Sequence, residues 1–265
     1  MAFDLNNFVI DRIVRAVALS QTDDSVLFSI NQVTNPSLNV TSETAEAVDA
    51  LGVPVAIFNR AKSAEFSAEN ALFDMNLMAV QSGTAKQVAA ADAVIVTPCF
   101  EEITIDGASA SYTLAHTPIE PPAKIYKLNG DGTLGIAYEL ASSASETAFA
   151  LNGAILNPPT GLVKDDQLFV IYEYEATGED KNGAVSVVNS AKNFPVGCKL
   201  IVEVLGCDVC DQTKLIYAYL IFPNFKLSPD FDWTIATDST HAFSGQAMQD
   251  YCDKDKTLYQ LVIPE

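Results

Sequence analysis

Bases are scarce in this chain. Fifteen Lys and Arg stand against thirty-four Asp and Glu, a formal net charge of −19. Phosphate binding needs clustered Lys and Arg, so this balance argues against a general nucleic-acid clamp and against attachment to an anionic membrane surface. Histidine is scarcer still. His116 and His241 are the only two, which leaves little material for a metal centre or a general base. Long apolar runs are missing as well. The longest, Leu215–Phe222, has eight residues, whereas a membrane-spanning helix needs about 20. Met1-Ala2-Phe3-Asp4 carries no basic stretch, and Asp11 and Arg12 interrupt the next apolar segment, so no secretory leader is expected there. The cysteines, at 99, 198, 207, 210 and 252, are few and odd in number, unlike a dense disulfide framework; reduced thiols in a cytosolic folding compartment are the expectation. No fixed-period repeat and no parallel βαβ rhythm is present.

What remains is a 265-residue chain, 49% hydrophobic and 18% charged, enough for one large domain or two small ones with a substantial core. Alternation of period two dominates. It predicts strands over Ile13–Leu19, Ser25–Gln32, Val53–Arg60, Ala64–Ala68 and Val88–Val96, the last ended by Pro98. Beyond the middle of the chain it predicts Leu168–Ala176, a hairpin of Lys199–Leu205 with Lys214–Phe222, then Phe231–Ala236, Ala242–Met248 and Thr257–Ile263. Between Val33 and Leu51 the alternation fails. Asn35-Pro36-Ser37 reads as a turn, and Glu43, Glu46 and Asp49 follow with no base, so this segment is predicted to be a long acidic loop. Long ordered loops in compact domains are usually functional.

Helical spacing appears once, in Leu72, Met75 and Ala79 and in Phe73, Leu77 and Val80. With Asn70 as N-cap and Gly83 as stop, it predicts the principal helix at about 70–82, clearest over Asn70–Gln81. The overall expectation is a mainly β fold, an antiparallel sandwich or barrel with one principal helix and long loops. Residues 1–98 and 166–265 are expected to form one discontinuous β domain. Residues 99–165, rich in Gly, Ser and Pro, are expected to form an inserted or elaborated short-strand region.

Few motifs suggest chemistry. Gly130-Asp131-Gly132-Thr133-Leu134-Gly135 matches the dinucleotide pattern, but a strand follows it and Asp131 would face the phosphates, so a hairpin turn is the better reading. Cys207-Asp208-Val209-Cys210 lies between two strands. A zinc site would need two more ligands and a redox site would need a helix after the pair, so a turn is again preferred, with Cys207 and Cys210 retained as candidate metal ligands. Glu101-Glu102, Asp165-Asp166 and Asp230-x-Asp232 are acid pairs at strand ends, where solvated carboxylates are the default. No catalytic residue, cofactor site or enzymatic activity is expected.

Two stretches carry a family resemblance. One runs through Asp49-Ala50-Leu51-Gly52-Val53-Pro54-Val55 and Ala61–Asn70. The other runs from Leu215–Pro223 through His241-Ala242-Phe243-Ser244-Gly245 to Tyr259–Ile263. Over roughly residues 8–96 and 168–265 this layout resembles the tail tube, or major tail, proteins of long-tailed bacteriophages. The resemblance implies a virion protein, made in the host cytoplasm, whose copies join sheets edge to edge into hexameric rings. The rings stack into a tube that conducts DNA without binding it specifically. The implied partners are the chain itself, other tail proteins at the tube ends and, around a contractile tube, a sheath. The acidic segment, with Asn35, Ser37, Asn39, Thr41, Glu43, Glu46 and Asp49, is then expected to be an assembly loop, and the lumen to be net negative. Two rivals stand beside it. One is a virion attachment or decoration module binding carbohydrate, which the region 99–165 favours and the single Trp233 weakens. The other is a hydrolase or metal enzyme, resting on scattered acids and the cysteine pair.

Overall fold

A computed structural model describes residues 7–179, 181–237, 239–249 and 254–264. Strands take 56% of the chain and helix 3%, which makes the fold mainly β. The chain divides into two units, one formed by Met1–Lys86 with Val187–Glu265 and the other by Gln87–Ser186.

The first unit opens with β1 (Phe8–Ser20), β2 (Val26–Ile30), β3 (Val33–Val48), β4 (Pro54–Asn70) and helix α1 (Met75–Gln81). The second unit contains β5 (Gln87–Val88), β6 (Ile95–Thr104), β7 (Tyr112–Thr113), β8 (Lys124–Leu128), β9 (Leu134–Leu140), β10 (Ala148–Asn152), β11 (Ile155–Asn157), β12 (Gln167–Ala176) and β13 (Val185–Ser186). The chain then returns to the first unit as β14 (Gly197–Asp208), β15 (Asp211–Leu227), β16 (His241–Ala247) and β17 (Gln260–Val262).

In the first unit the order is β2-β1-β14-β15-β16-β4-β3, antiparallel throughout, with β17 beside β15. The sheet curls until β3 returns beside β1, close to a barrel. Where strands face the core, one residue in two points inward, so Ala16, Ala18, Ala64, Phe66, Leu200, Val202, Phe222, Phe225 and Phe243 meet in a single core. Phe222 is its hub, with ring centroids 5.8 Å from Phe66, 5.2 Å from Phe225 and 6.1 Å from Tyr259.

Helix α1 is shorter than its periodicity predicts. Asn70 is the last residue of β4, paired with both Val33 and His241, and cannot cap a helix. Asp74 does so instead, its carboxylate accepting from Leu77 N at 2.7 Å. The stop is as expected: Gly83 has φ +64°, beyond the reach of most side-chain-bearing residues, and the Phe194 backbone lies against it.

The segment predicted to be a loop is a strand. β3 pairs with β4 from Val33↔Asn70 to Val48↔Pro54, and Asn35 and Pro36 sit at a bulge rather than a turn. Alternation reports a strand with one wet and one dry face. β3 is exposed along nearly its whole length, so it has no dry face to report. The two strands predicted at Val53–Arg60 and Ala64–Ala68 are one continuous β4. The strand expected at Phe231–Ala236 reduces to one bridge, Trp233↔His241, and Trp233 stacks on Phe73 at 4.4 Å.

The second unit has a seven-stranded sheet of order β6-β12-β8-β9-β10-β11-β7, with β5 and β13 forming a separate pair. Its core gathers Ile103, Ile125, Phe149, Leu156, Leu168 and Val170. Pro98 does not end a strand. It lies inside β6, opposite Glu173, and is tolerated there because β6 is an edge strand whose outer side needs no donor. The G-x-G-x-x-G match is the β8–β9 turn: Gly132 N donates to Asn129 O at 2.9 Å, and Asp131 accepts from the Thr133 hydroxyl at 2.6 Å.

Candidate assembly surface

Residues 41–63 form a projecting two-stranded arm. β16 pairs with β4 only from Ala64 to Asn70, so the outer part of β4 has β3 as its sole neighbour among the described residues. Ten residues of β4, Pro54–Ser63, therefore reach about 30 Å beyond the curled sheet. The tip is built by one side chain. Asp49 accepts from Leu51 N at 2.8 Å and Val53 N at 2.9 Å, and Gly52 turns the chain at φ +80°. Thr41 and Ser63 join across the strands, hydroxyl to hydroxyl, at 2.7 Å.

All seven residues predicted for an assembly loop lie on this arm or at its root, and all are exposed. Asn35 holds φ +49° at the bulge; Ser37, Asn39 and Thr41 pair with Ser67, Glu65 and Ser63; Glu46 faces Ile57; Asp49 makes the turn. Sequence reasoning missed the other half of the arm. Leu51 is 88% exposed and Val55 70%, and Val48, Val53, Ile57 and Phe58 are open too. The available signal was that apolar residues from Val53 to Phe58 occupy both parities of a strand. Charge is also divided between the strands: β3 carries Glu43 and Glu46, while the outer part of β4 carries Arg60 and Lys62 and no acid. An isolated two-stranded ribbon is marginal in water, and its bare edges are templates for pairing.

The acid pairs do not converge. Glu101 and Glu102 point to opposite faces of β6, and Glu101 accepts from Tyr172 Oη at 2.8 Å. Burial, together with that carboxylate, pushes the Tyr172 phenol well above its usual range. Asp166 is tied to Lys127 Nζ at 2.7 Å and accepts from Val163 N at 2.9 Å, and these bonds hold its carboxyl below the usual value. Asp230 and Asp232 line an open cleft of about 650 Å³ with Glu69 and Asn35.

Cys207 and Cys210 flank the β14–β15 turn, where Cys210 N donates to Asp208 Oδ1 at 2.8 Å. Cys198 is buried in β14, its thiol pushed up to about 11 by burial, and Cys99 lies in the second unit. Cys252 lies outside the described residues. No group of three potential metal ligands occurs among the described residues. Replacing both Cys207 and Cys210 by Ser is expected to move the melting temperature by less than about 2 °C, with or without a chelator; a structural metal would make both treatments strongly destabilising.

His241 is fully buried at the junction of α1, β4 and β16. Its Nε2 lies 2.7 Å from Gln81 Oε1, which makes Nε2 the donor, and Phe73 stacks on the ring at 5.4 Å. Its Nδ1 has no partner among the described residues. Burial lowers its pKa below the ordinary 6.5, against an opposing pull from Asp74. A depressed histidine pKa stabilises the fold fully above 6.5, and that contribution is lost as pH falls below 6.5 toward the folded-state value. Chemical denaturation of the wild type between pH 7.5 and pH 5 is expected to show this loss, and His241→Asn to flatten that part of the profile.

Among the described residues no helix is long and apolar enough to cross a membrane. These features define a two-unit, mainly β protein with a projecting ribbon that has no core of its own. The chain belongs to the YomU/Tube protein family, whose model matches residues 8–262. No curated protein matches it.

Proposed function

We propose that the chain is a structural subunit of a phage-type tail tube, joining copies of itself into stacked, sixfold rings that line a passage for DNA. The observation that carries this reading is the arm. It exposes Leu51, Val55, Ile57 and Phe58 to water at the end of a ribbon with both edges open, and a second copy would cover apolar surface and edges together. Membership of the YomU/Tube family supports a tube-forming role. The net charge of −19 suits a wall that phosphates do not grip. In this reading the protein resides in the virion, meets other tail proteins at the tube ends, and catalyses nothing.

The test is concentration-dependent assembly. Purified protein is expected to sediment as rings or longer polymers as its concentration rises, with annular or tubular particles in negative stain. It is also expected to show no tight, salt-sensitive binding to duplex DNA. A monomer at every concentration, with the arm intact, would overturn the proposal.

A further inference from the structure

A second surface, wholly within the unit Gln87–Ser186, is independent of the assembly reading. Segment 115–119 is strapped to β12 and its neighbour by backbone donors. Ala115 N donates to Glu101 Oε2 at 3.1 Å, His116 N to Tyr172 Oη at 3.2 Å, and Ile119 N to Glu173 O at 2.8 Å. These bonds lay the His116 ring flat on Tyr174, with centroids 3.7 Å apart and planes within 2°. Opposite them, Asn182 Nδ2 donates to Glu175 O and to Thr177 Oγ1, both at 3.1 Å, and fixes the turn after β12. Between lies a cleft of about 430 Å³, lined by His116, Thr117, Ile119, Tyr174, Glu175 and Thr177 among others. That size lies within the roughly 300–1,000 Å³ typical of small-molecule sites.

We infer that this cleft binds a neutral saccharide. The paired rings, with the exposed Ile119 side chain, offer an apolar platform, and the weakly positive C–H face of a pyranose is drawn to an electron-rich ring face. Thr117 and Thr177 supply hydroxyls, matching a ligand that both donates and accepts around its rim. Charge selects against the alternatives. Among the described residues no Lys or Arg lines the cleft, so a phosphate, sulfate or uronate would find no compensating cation there. On β12 Glu175 points to the face opposite Tyr174, so a cationic ligand on the platform gains no carboxylate from it. The straps and the stack hold the platform in place before any ligand arrives, which lowers the ordering cost of binding.

The test is a glycan array and calorimetric titration of the full chain with neutral hexasaccharides of glucose, galactose and N-acetylglucosamine, beside sulfated and sialylated glycans. At least one neutral oligosaccharide is expected to bind. His116→Ala and Thr117→Ala are each expected to weaken that binding at least about tenfold at unchanged melting temperature. Should His116→Ala fold poorly, the exposed Thr117 variant decides alone. Absence of binding by every neutral hexasaccharide at about 10 mM, binding confined to charged glycans, or equal binding by wild type and Thr117→Ala would each overturn the inference. Assembly, read separately by sedimentation, is unaffected by either result.

Discussion

Replacing residues 41–63 by Asn-Gly is expected to abolish self-assembly and leave the monomer folded. The two-residue turn would join Val40 to Ala64, which already face each other across the β3–β4 ladder, and Asn-Gly is the pairing that such a hairpin favours. Nothing in the first unit's core is removed, since Ala64, Phe66 and Ala68 all lie beyond the cut. What is lost is the exposed apolar tip. Covering a side chain such as Leu51, Ile57 or Phe58 is worth about 1.5–3 kcal/mol each, so losing even two such contacts raises the concentration needed for assembly by about a hundredfold or more. Sedimentation velocity reads the assembly and thermal melting reads the fold. A milder variant, Ile57→Asp with Phe58→Asp, is expected to act in the same direction. Polymerisation at wild-type concentrations by the shortened protein would remove the arm from the assembly account.

Phe222→Ala is expected to destabilise the first unit by about 3–5 kcal/mol, lowering its melting transition by about 6–20 °C. The ring is fully buried and touches three other aromatic rings, so truncation leaves a cavity that rigid strands on several sides cannot close. The second unit has its own core around Phe149, Leu168 and Val170, so its transition is expected to stay in place. Differential scanning calorimetry of the full chain separates the two. A single transition shifted as a whole would show instead that the cores melt as one.

The parts of the fold that can be read from the sequence are those with one wet and one dry face. β12, β14 and β16 alternate cleanly because each lays every second residue into a core, and the strands predicted at Leu168–Ala176, Lys199–Leu205 and Ala242–Met248 overlap them. Where burial does not differ between faces, the reading fails for a physical reason. β3 is wet on both faces and was legible only as an acidic loop, so the residues of the arm were located while their conformation was not. Pro98 looked like a terminator because the rule against proline applies to strands paired on both sides, and no local signal says that β6 is an edge. The helix start was displaced because Leu72 and Phe73 fit a helical stripe equally well as a link between β4 and Asp74. The cleft beside His116 was invisible, since Tyr174 and His116 lie far apart in the chain and meet only through the straps on β12.

Pro98 has one more consequence. Any chain that polymerises through bare strand edges runs the risk of mating the wrong ones, and crowded copies sample every edge they expose. Along β6 a neighbour looking for a continuous row of partners meets a residue with no N–H to give, and Glu102 on the same strand adds a charge that like chains repel. On the arm, residues 41–48 and 55–63 run without a proline; its one proline, Pro54, sits where β4 leaves the tip turn. In an assembly of the kind proposed, the imino acid would act as a proofreading device, leaving wrong-edge encounters short-lived and giving growth a direction before any subunit locks into place.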